Sequence, residues 1–419
     1  MTDVAAPVSR PRRGPKRLLA LLAIAGPGLI AANAGNDAGG ILTYASAGAQ
    51  FAYRTLFLML LVTVALVVVQ EMCARLGAYT GKGLGALIRE QFPVRASTGA
   101  MALLFVANAG LTVSEFGGIG AAMDLLGVSR YIAIPVALVL LWSMTVLGTY
   151  SKGERIAIAL SLTFIAYPVA AILAHPNTHV VMRDLFTPQF PHTTAFLVLA
   201  VALIGTTITP YMQFYVSSAV VDKGIGPKQY PAERVDTVNG AILSNVVSIF
   251  IIIATAAAIG GHGPLSTARE AAEALRPAVG SAAPTLFGIG LLGASLLAAA
   301  VVPLSSSYAI AEAVGAERSV SNSFRQAPLF FGLFTLQLVG GAAIALAPGN
   351  LISLVVNMQV LNGAISPALL VFVLVLANRR SVLGAAANGP VFRAVATVCV
   401  FSVAVLAFAV VVLKILGIG

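Results

Sequence analysis

The sequence NAGNDAGG, residues 33–40, interrupts the first long apolar segment of a chain of 419 residues. Apolar sequence occupies residues 18–32 before it and residues 41–49 after it, so Asp37 would lie near the centre of a bilayer. A carboxylate at that depth costs roughly 2.5–3.5 kcal/mol and is expected to face protein or water and to have a function. The three glycines of the stretch also weaken a helix, by about 1 kcal/mol each relative to alanine. We therefore predict a broken first helix whose freed carbonyls can ligate an ion.

The composition is that of a polytopic membrane protein. Hydrophobic residues make up 58% of the chain, charged residues make up 10%, and the mean hydropathy is +0.94, whereas a soluble domain has about 25% charged residues. The net charge of +10 does not indicate nucleic acid binding, because the basic residues lie in short loops between apolar segments and form no stripe. These features predict an all-α protein of the plasma membrane that has no nucleic acid partner.

Eleven apolar segments are each long enough for a transmembrane helix of about 20 residues. They cover residues 18–48, 53–76, 97–126, 131–150, 156–175, 194–221, 238–260, 284–311, 328–347, 350–377 and 394–416. With residues 1–17 as a cytoplasmic tail, 19 of the 25 lysines and arginines fall on the cytoplasmic side. This bias follows the positive-inside rule and predicts that the C-terminus lies outside.

The sixth segment contains GTTITPYMQ, residues 205–213. Pro210 lacks an N–H and clashes with the preceding turn, so this helix is also expected to break. The first and sixth segments each begin a set of five, and an odd number of spans inverts the second set relative to the first. Paired interruptions at corresponding positions of inverted repeats indicate a transporter binding site. We predict a first repeat over residues 18–175, an inverted repeat over residues 194–377, and a peripheral helix over residues 394–416.

Glu115 is the other carboxylate deep within an apolar segment. Asp37 and Glu115 each have a structural alternative, as a buried hydrogen-bonded carboxylate or as a counter-charge in a packed polar node. As ligands, carboxylates beside free carbonyls and threonine hydroxyls suit a hard cation. The four histidines lie in predicted outer loops, and the sequence has no HExxH, G-x-S-x-G or Walker motif. The chain is therefore predicted to be no enzyme and to need no cofactor.

Several short sequences resemble the NRAMP family of divalent metal transporters. They are Gly26-Pro27-Gly28, the Asp37 motif in a broken helix, Gln70, Ala74-Arg75-Leu76-Gly77 and Thr80-Gly81. The resemblance covers essentially all eleven segments and implies the leucine-transporter fold, with five plus five inverted helices and breaks in helices one and six. It also implies a metal site in which aspartate and asparagine of the first helix join an alanine carbonyl and a methionine sulfur of the sixth.

This sequence departs from the family pattern at the implied metal site. Gly40 replaces the asparagine of the first motif. In the sixth helix Thr206 takes the carbonyl position, Thr209 replaces methionine and Tyr211 replaces histidine. Loss of the thioether removes a soft donor, and the glycine opens space. Magnesium dehydrates reluctantly and keeps several waters, so a roomier site that offers oxygen ligands favours Mg²⁺.

The resemblance also assigns residues outside these two motifs. In the third segment Glu115 keeps the family's glutamate, whereas Thr112 replaces an aspartate implicated in its proton path. In the tenth segment the family's glutamine on the ligand side is expected near Ile365, with Asn362 and Ser366 close by. Loss of the aspartate and of the sixth-helix histidine implies transport without proton coupling, driven by a membrane potential that is worth about 2.3 kcal/mol per charge per 100 mV.

The sequence thus predicts a monomeric uptake carrier for Mg²⁺, and also Mn²⁺, that works by alternating access. The expected site residues are Asp37, Gly40, Glu115, Thr206, Thr209, Tyr211 and Asn362. One alternative is a proton-coupled Mn²⁺ or Fe²⁺ symporter, in which Glu115 would accept the proton. Another is an amino acid carrier of the same fold, which is disfavoured because Asp37 would repel a substrate carboxylate. An intramembrane enzyme or a receptor has no support beyond the buried carboxylates.

Overall fold

The computed structural model describes residues 36–146, 166–317 and 323–416, and the regular structure in these ranges is helical, with no β-strand. The helices are α1 (Ala38–Phe51), α2 (Leu56–Thr80), α3 (Leu84–Gln91), α4 (Val94–Leu125), α5 (Arg130–Val146), α6 (Ala166–Leu173), α7 (Thr178–Phe186), α8 (Thr194–Thr207), α9 (Pro210–Asp222), α10 (Tyr230–Ile259), α11 (Ala268–Ala272), α12 (Arg276–Val279), α13 (Ala283–Val314), α14 (Pro328–Ala345), α15 (Leu351–Asn378), α16 (Arg380–Leu383) and α17 (Pro390–Ile415). Short 3₁₀ turns connect several of them.

Eight stretches of the described ranges are long and apolar enough to cross a membrane. α5 is shorter, and α6 covers only the end of the fifth predicted segment, because residues 147–165 lie outside the described ranges. The predicted tail over residues 1–17 and the first half of the first segment lie outside them as well. The all-α polytopic class is therefore confirmed, whereas the count of eleven helices and the bounds of the two repeats remain predictions.

The predicted break in the sixth segment is confirmed. α8 ends at Thr207 and α9 begins at Pro210, with Ile208 and Thr209 between them in non-helical conformations. A proline at the first position of a helix loses no hydrogen bond, because the first N–H groups have no partner within the helix. The same proline has no N–H to donate to the carbonyl of Thr206, four residues earlier. The break therefore leaves the Thr206 carbonyl, at the C-terminal end of α8, open to other partners.

At the first motif the structure differs from the prediction. α1 begins at Ala38 with Asp37 as its N-cap, so Gly39 and Gly40 form the first turn of a helix and are not unwound. The side chain of Asp37 accepts a hydrogen bond of 2.7 Å from the N–H of Gly40, which satisfies one of the free N–H groups at a helix start. Residues 33–35 lie outside the described ranges. The helix therefore begins earlier than its glycine content indicated, because the cap compensates for the weak helix propensity of the glycines.

α4 is the central helix of the bundle and packs against α13, α14 and α15. α15 in turn packs against α8, the helix before the break. The two backbones are closest where a Cβ on Gly205 of α8 would lie 2.0 Å from the carbonyl oxygen of Gln359. On the opposite side of this contact, a Cβ on Gly363 of α15 would lie 2.1 Å from the carbonyl oxygen of Val201. Small residues that let backbones approach are a common basis of helix association in membranes, and here they fix α15 beside the break.

Replacement of Gly205 by alanine is expected to destabilise the protein. The added methyl group would meet backbone atoms of α15 on two sides, at 2.0 Å and 2.4 Å, and overpacking of this kind costs about 1–3 kcal/mol. The measurement is the thermal unfolding temperature in detergent, which should fall. Gly332→Ala is the matched control, because Gly332 lies in α14 with no atom within 4 Å of an added Cβ, and it should unfold no earlier than the wild type. Equal unfolding temperatures for the two variants would contradict the close contact.

Candidate metal centre

Two carboxylates meet at the N-terminus of α1. Asp37 caps this helix, and Glu115 of α4 accepts a hydrogen bond of 3.3 Å from the N–H of Ala38 through Oε2, although the two residues are 77 apart in sequence. Free N–H groups and the positive end of the helix dipole stabilise negative charge at this position. The other carboxylate oxygen of Glu115, Oε1, has no hydrogen-bond partner in the described part of the chain. That oxygen is therefore available to a cation.

Both carboxylates are buried, and the described ranges contain no buried basic side chain to balance them. Asp37 is 2% exposed and Glu115 is fully buried. Within the described ranges, no lysine, arginine or histidine is buried to a similar degree. An uncompensated buried charge costs several kcal/mol. A bound divalent cation would neutralise both carboxylates at once.

The broken helix contributes oxygen atoms to the same region. Tyr44 of α1 and Thr207 at the end of α8 share a hydrogen bond of 3.0 Å between their hydroxyl groups, which holds the two helices together. Thr206 and Thr209 are both fully buried. The hydroxyl of Thr209 has no hydrogen-bond partner among the described residues. Because a helix C-terminus carries partial negative charge, the Thr206 carbonyl at the end of α8 suits a cation.

The structure shows contacts for Gly40 and Tyr211 that differ from those expected of a metal ligand. Gly40 donates its N–H to Asp37, so it orients the carboxylate, and an N–H group cannot ligate a metal. Tyr211 lies in the first turn of α9, is 1% exposed, and packs in an apolar cluster that includes Leu111. Its hydroxyl is within electrostatic range of Asp37 and Glu115. Both residues therefore belong to the surroundings of the site, and contact between either of them and a metal stays a prediction.

Gln359 of α15 is a site residue that the sequence-based prediction did not include. Its Nε2 donates a hydrogen bond of 3.2 Å to the hydroxyl of Ser114 in α4, and its Oε1 has no partner in the described ranges. A Cβ on Gly39 would lie 1.8 Å from Nε2, so the side chain rests directly on the first turn of α1. The backbone of the same residue contacts Gly205 of α8. Gln359 thus joins the three helices that surround the site.

The structure places Gln359, and not Ile365, against the first motif, and which of them corresponds to the family's tenth-helix glutamine stays a prediction. Ile365 packs among apolar side chains of the core, whereas Gln359 faces the first motif. Gln359, Asn362 and Ser366 are three and four residues apart, a spacing that puts them on one helix face and that could have identified the glutamine. Ser366 donates its hydroxyl to the carbonyl of Ile208 in the break over 3.2 Å. Asn362 turns its amide nitrogen to a backbone carbonyl of α4, which leaves its Oδ1 without a partner.

The available donor atoms around the motif are oxygens. The described residues contain no group of three or more His, Cys, Asp or Glu side chains that could hold a metal ion. Among the buried side-chain atoms without a hydrogen-bond partner in the described ranges are Glu115 Oε1, Thr206 Oγ1, Thr209 Oγ1, Gln359 Oε1 and Asn362 Oδ1, and others lie elsewhere in the bundle. Each such atom in a folded protein calls for an explanation, and the grouping of these five on helices that meet at one motif indicates a place for a ligand. Oxygen donors without thiolate or imidazole favour a hard cation.

The comparison with known families agrees with this geometry. The model of the family described as natural resistance-associated macrophage protein-like, Nramp, matches residues 28–413. The chain belongs to the Nramp family. The matched range contains both motifs and every site residue named above, so the resemblance that the short motifs indicated is confirmed.

Curated relatives of this Nramp chain are similar over most of their length. The divalent metal cation transporter MntH of Ralstonia nicotianae is 30% identical over 410 residues, which cover 91% of this chain and 89% of the relative. The protein of the same name from Bacillus subtilis is 27% identical over 384 residues, which cover 88% and 87%. Both names describe transporters, in agreement with the prediction that this chain is no enzyme.

Solved structures identify the fold of the Nramp chain. A manganese transporter of Eremococcus coleocola has a TM-score of 0.73 at 19% identity, over 97% of this chain and 89% of that one. Mhp1, a transporter of the nucleobase-cation-symport-1 family, has a TM-score of 0.56 at 13% identity over 92% of each chain. MhsT has a TM-score of 0.57 at 14% identity, over 92% and 97%. At these identities the similarity shows the fold alone, which is the predicted leucine-transporter-like architecture.

Removal of the Gln359 amide is expected to weaken metal binding. Gln359→Ala takes away an available oxygen and the hydrogen bond to Ser114, and loss of one such contact corresponds to about tenfold in affinity. The measurement is Mn²⁺ binding to the purified protein by calorimetry. Gln337→Ala is the control, because Gln337 is also buried but its Oε1 accepts a hydrogen bond of 2.9 Å from Ser306 between α13 and α14. The control should lose stability and keep its affinity, and unchanged affinity of the Gln359 variant would exclude this residue from the site.

Proposed function

We propose that this protein takes up Mg²⁺, and also Mn²⁺, by alternating access and without proton coupling. As a member of the Nramp family it is a divalent metal transporter. Asp37 is the proposed central ligand near the midplane of the membrane. Glu115, the Thr206 carbonyl and Gln359 would contribute further oxygens, and water would fill the remaining positions of a partly hydrated ion.

The proposed preference for Mg²⁺ rests on the kind of atoms that are available to bind the ion. Thr209 stands where the family pattern has methionine, and its buried hydroxyl has no partner in the described ranges. The next methionine along the chain, Met212, packs in the apolar cluster of Tyr211. A thioether helps transition metals to compete against hard cations, and a hydroxyl gives no such advantage. Oxygen donors beside two carboxylates therefore support a site for a hard divalent ion.

The helices beside Glu115 support transport without protons. Thr112, in the position of the family's aspartate, donates its hydroxyl to the carbonyl of Asn108 over 2.8 Å, and its methyl group faces Gly341 of α14. α14 contains no ionisable residue, and α4 contains none between Arg95 and Glu115. A proton that left Glu115 would have no next acceptor on α14 or on the part of α4 between Arg95 and Glu115.

The second candidate is a proton-coupled Mn²⁺ symporter. The observation that favours it is Glu115 itself, which is fully buried and has one carboxylate oxygen without a partner among the described residues. A carboxylate in that environment can also be neutralised by a proton. In this candidate Glu115 would release a proton to the cytosol together with the metal.

Flux into liposomes distinguishes the two candidates. The purified protein is reconstituted with an internal pH dye, an inside-negative potential is applied, and influx of Mg²⁺, Mn²⁺ and Ca²⁺ is compared. We expect Mg²⁺ and Mn²⁺ influx at constant internal pH. Asp37→Ala should abolish both, because it removes the central ligand, whereas Asp184→Ala should keep them. Asp184 is also buried, but it is paired with Arg183 in α7. Mn²⁺ influx with internal acidification and without Mg²⁺ influx would establish the second candidate.

A methionine at position 209 is expected to shift the selectivity towards softer metals. Thr209→Met restores a thioether at the break, so the ratio of Mn²⁺ to Mg²⁺ influx should rise by about tenfold, which corresponds to about 1.4 kcal/mol. Thr209→Val, which has the shape of threonine without the hydroxyl, is the control and should leave the ratio lower than in the methionine variant. If both variants had the same ratio, residue 209 would not contact the ion.

A further inference from the structure

The linker between α15 and α17 surrounds a cleft that is separate from the metal centre. The cleft has a volume of about 730 Å³, and two exposed arginines, Arg380 and Arg393, line it. None of its described lining residues is acidic, and neither arginine forms an ion pair with a described carboxylate. The side chain of Arg393 donates a long hydrogen bond, of 3.4 Å, to the carbonyl of Asn388. Gly389 and Pro390, the N-cap and first residue of α17, also line the cleft, so the positive end of that helix adds to its charge.

The apolar face of α17 sets the depth of this cleft in the membrane. Exposed apolar side chains run along the helix from Val391 in its first turn to Ile415 in its last. A helix of 26 residues is about 39 Å long, which exceeds the hydrocarbon thickness of about 30 Å. Each end of α17 therefore lies near the level of the lipid headgroups. The cleft, at the N-terminal end, opens where lipid phosphates lie.

We propose that this cleft binds the phosphate of an anionic phospholipid, and that the bound lipid supports transport. A guanidinium group matches the geometry of phosphate oxygens and forms strong charge-assisted hydrogen bonds with them. Arg380 and Arg393 have no carboxylate in the described ranges to compete for these bonds. Basic pockets between transmembrane helices are suited to anionic headgroups, and the acyl chains would lie along the exposed apolar face of α17.

The wall of the cleft is connected to the helices that carry the metal centre. Arg75 of α2 donates hydrogen bonds to the Asn388 side chain and to the carbonyl of Ala386, the second over 3.0 Å. Arg75 also pairs with Glu71 at 3.0 Å, and Glu71 accepts a hydrogen bond from Tyr230 of α10. α2 packs against α9, the second half of the broken helix. A lipid that orders the linker would therefore stabilise the contact between α2 and α10.

Lipid retention tests the binding step. The full-length protein in neutral detergent is mixed with phosphatidylglycerol or phosphatidylcholine, and bound lipid is counted by native mass spectrometry. The wild type should retain phosphatidylglycerol selectively, and R380Q/R393Q should retain about thirty-fold less, because each basic residue near a headgroup contributes about fivefold. The charge-matched control R95Q/K228Q removes two exposed basic residues elsewhere and should bind like the wild type. R380K/R393K should recover part of the retention.

Two results would overturn the lipid site. Equal losses in R380Q/R393Q and R95Q/K228Q would show a general effect of surface charge. Displacement of phosphatidylglycerol by dissolved inorganic phosphate would show that the cleft recognises free phosphate rather than a lipid. Unchanged Mn²⁺ binding by R380Q/R393Q shows that this variant is folded, so that a loss of lipid belongs to the cleft.

Flux tests the second part of the proposal, which rests on the proposed function. In liposomes that contain phosphatidylglycerol, wild type and R95Q/K228Q should transport Mg²⁺ severalfold faster than in phosphatidylcholine alone, and R380Q/R393Q should not. Selective lipid retention without any such rate difference would overturn the effect on transport. If none of the proteins moved metal in either lipid, the proposed function would fail, while the retention measurement would still decide the lipid site.

Discussion

The N-terminus of α1, deep inside the bundle, accepts two carboxylates, and the rest of the centre depends on this contact. Asp37 satisfies the N–H of Gly40 and Glu115 satisfies the N–H of Ala38. Helix N–H groups that had no partner at this depth would be costly, since the membrane interior offers no water to bond them. The two carboxylates therefore stabilise a buried helix end, and the negative charge that results has no buried basic partner in the described ranges.

α1 and α8 present opposite helix ends to each other, and this difference favours a cation between them. At α1 the N–H groups are occupied by carboxylates, so the positive helix end is covered by negative charge. At α8 the helix ends at Thr207, and Pro210 leaves the Thr206 carbonyl without its helical donor. An amino acid carrier would need free N–H groups to meet a substrate carboxylate, and here Glu115 and Asp37 already occupy those at the start of α1. The occupied N–H groups therefore argue against an amino acid substrate.

Gln359 and Arg75 each connect helices that are distant in sequence. Gln359 lies where α1, α4 and α8 meet, so a movement of any of these helices would change its contacts. Arg75 connects α2 to the linker before α17 and, through Glu71, to α10. The proposed alternating access requires groups of helices to move as units. Polar contacts of this kind hold such units together. Apolar side chains pack equally well against lipid tails, so apolar packing gives little specificity to the contacts between helices.

The sequence by itself determined the membrane class, the break at Pro210 and the burial of Glu115. These follow from local properties: hydropathy, the cost of a charge in lipid, and the N–H that proline lacks. Only the tertiary structure decided that Gly39 and Gly40 are helical, that Gln359 rather than Ile365 faces the site, and that Arg75 holds the linker before α17. Each of these depends on partners from other helices, as in the contact between Gln359 and Ser114 across 245 residues. Such contacts arise from the way whole helices pack, and local composition does not encode them.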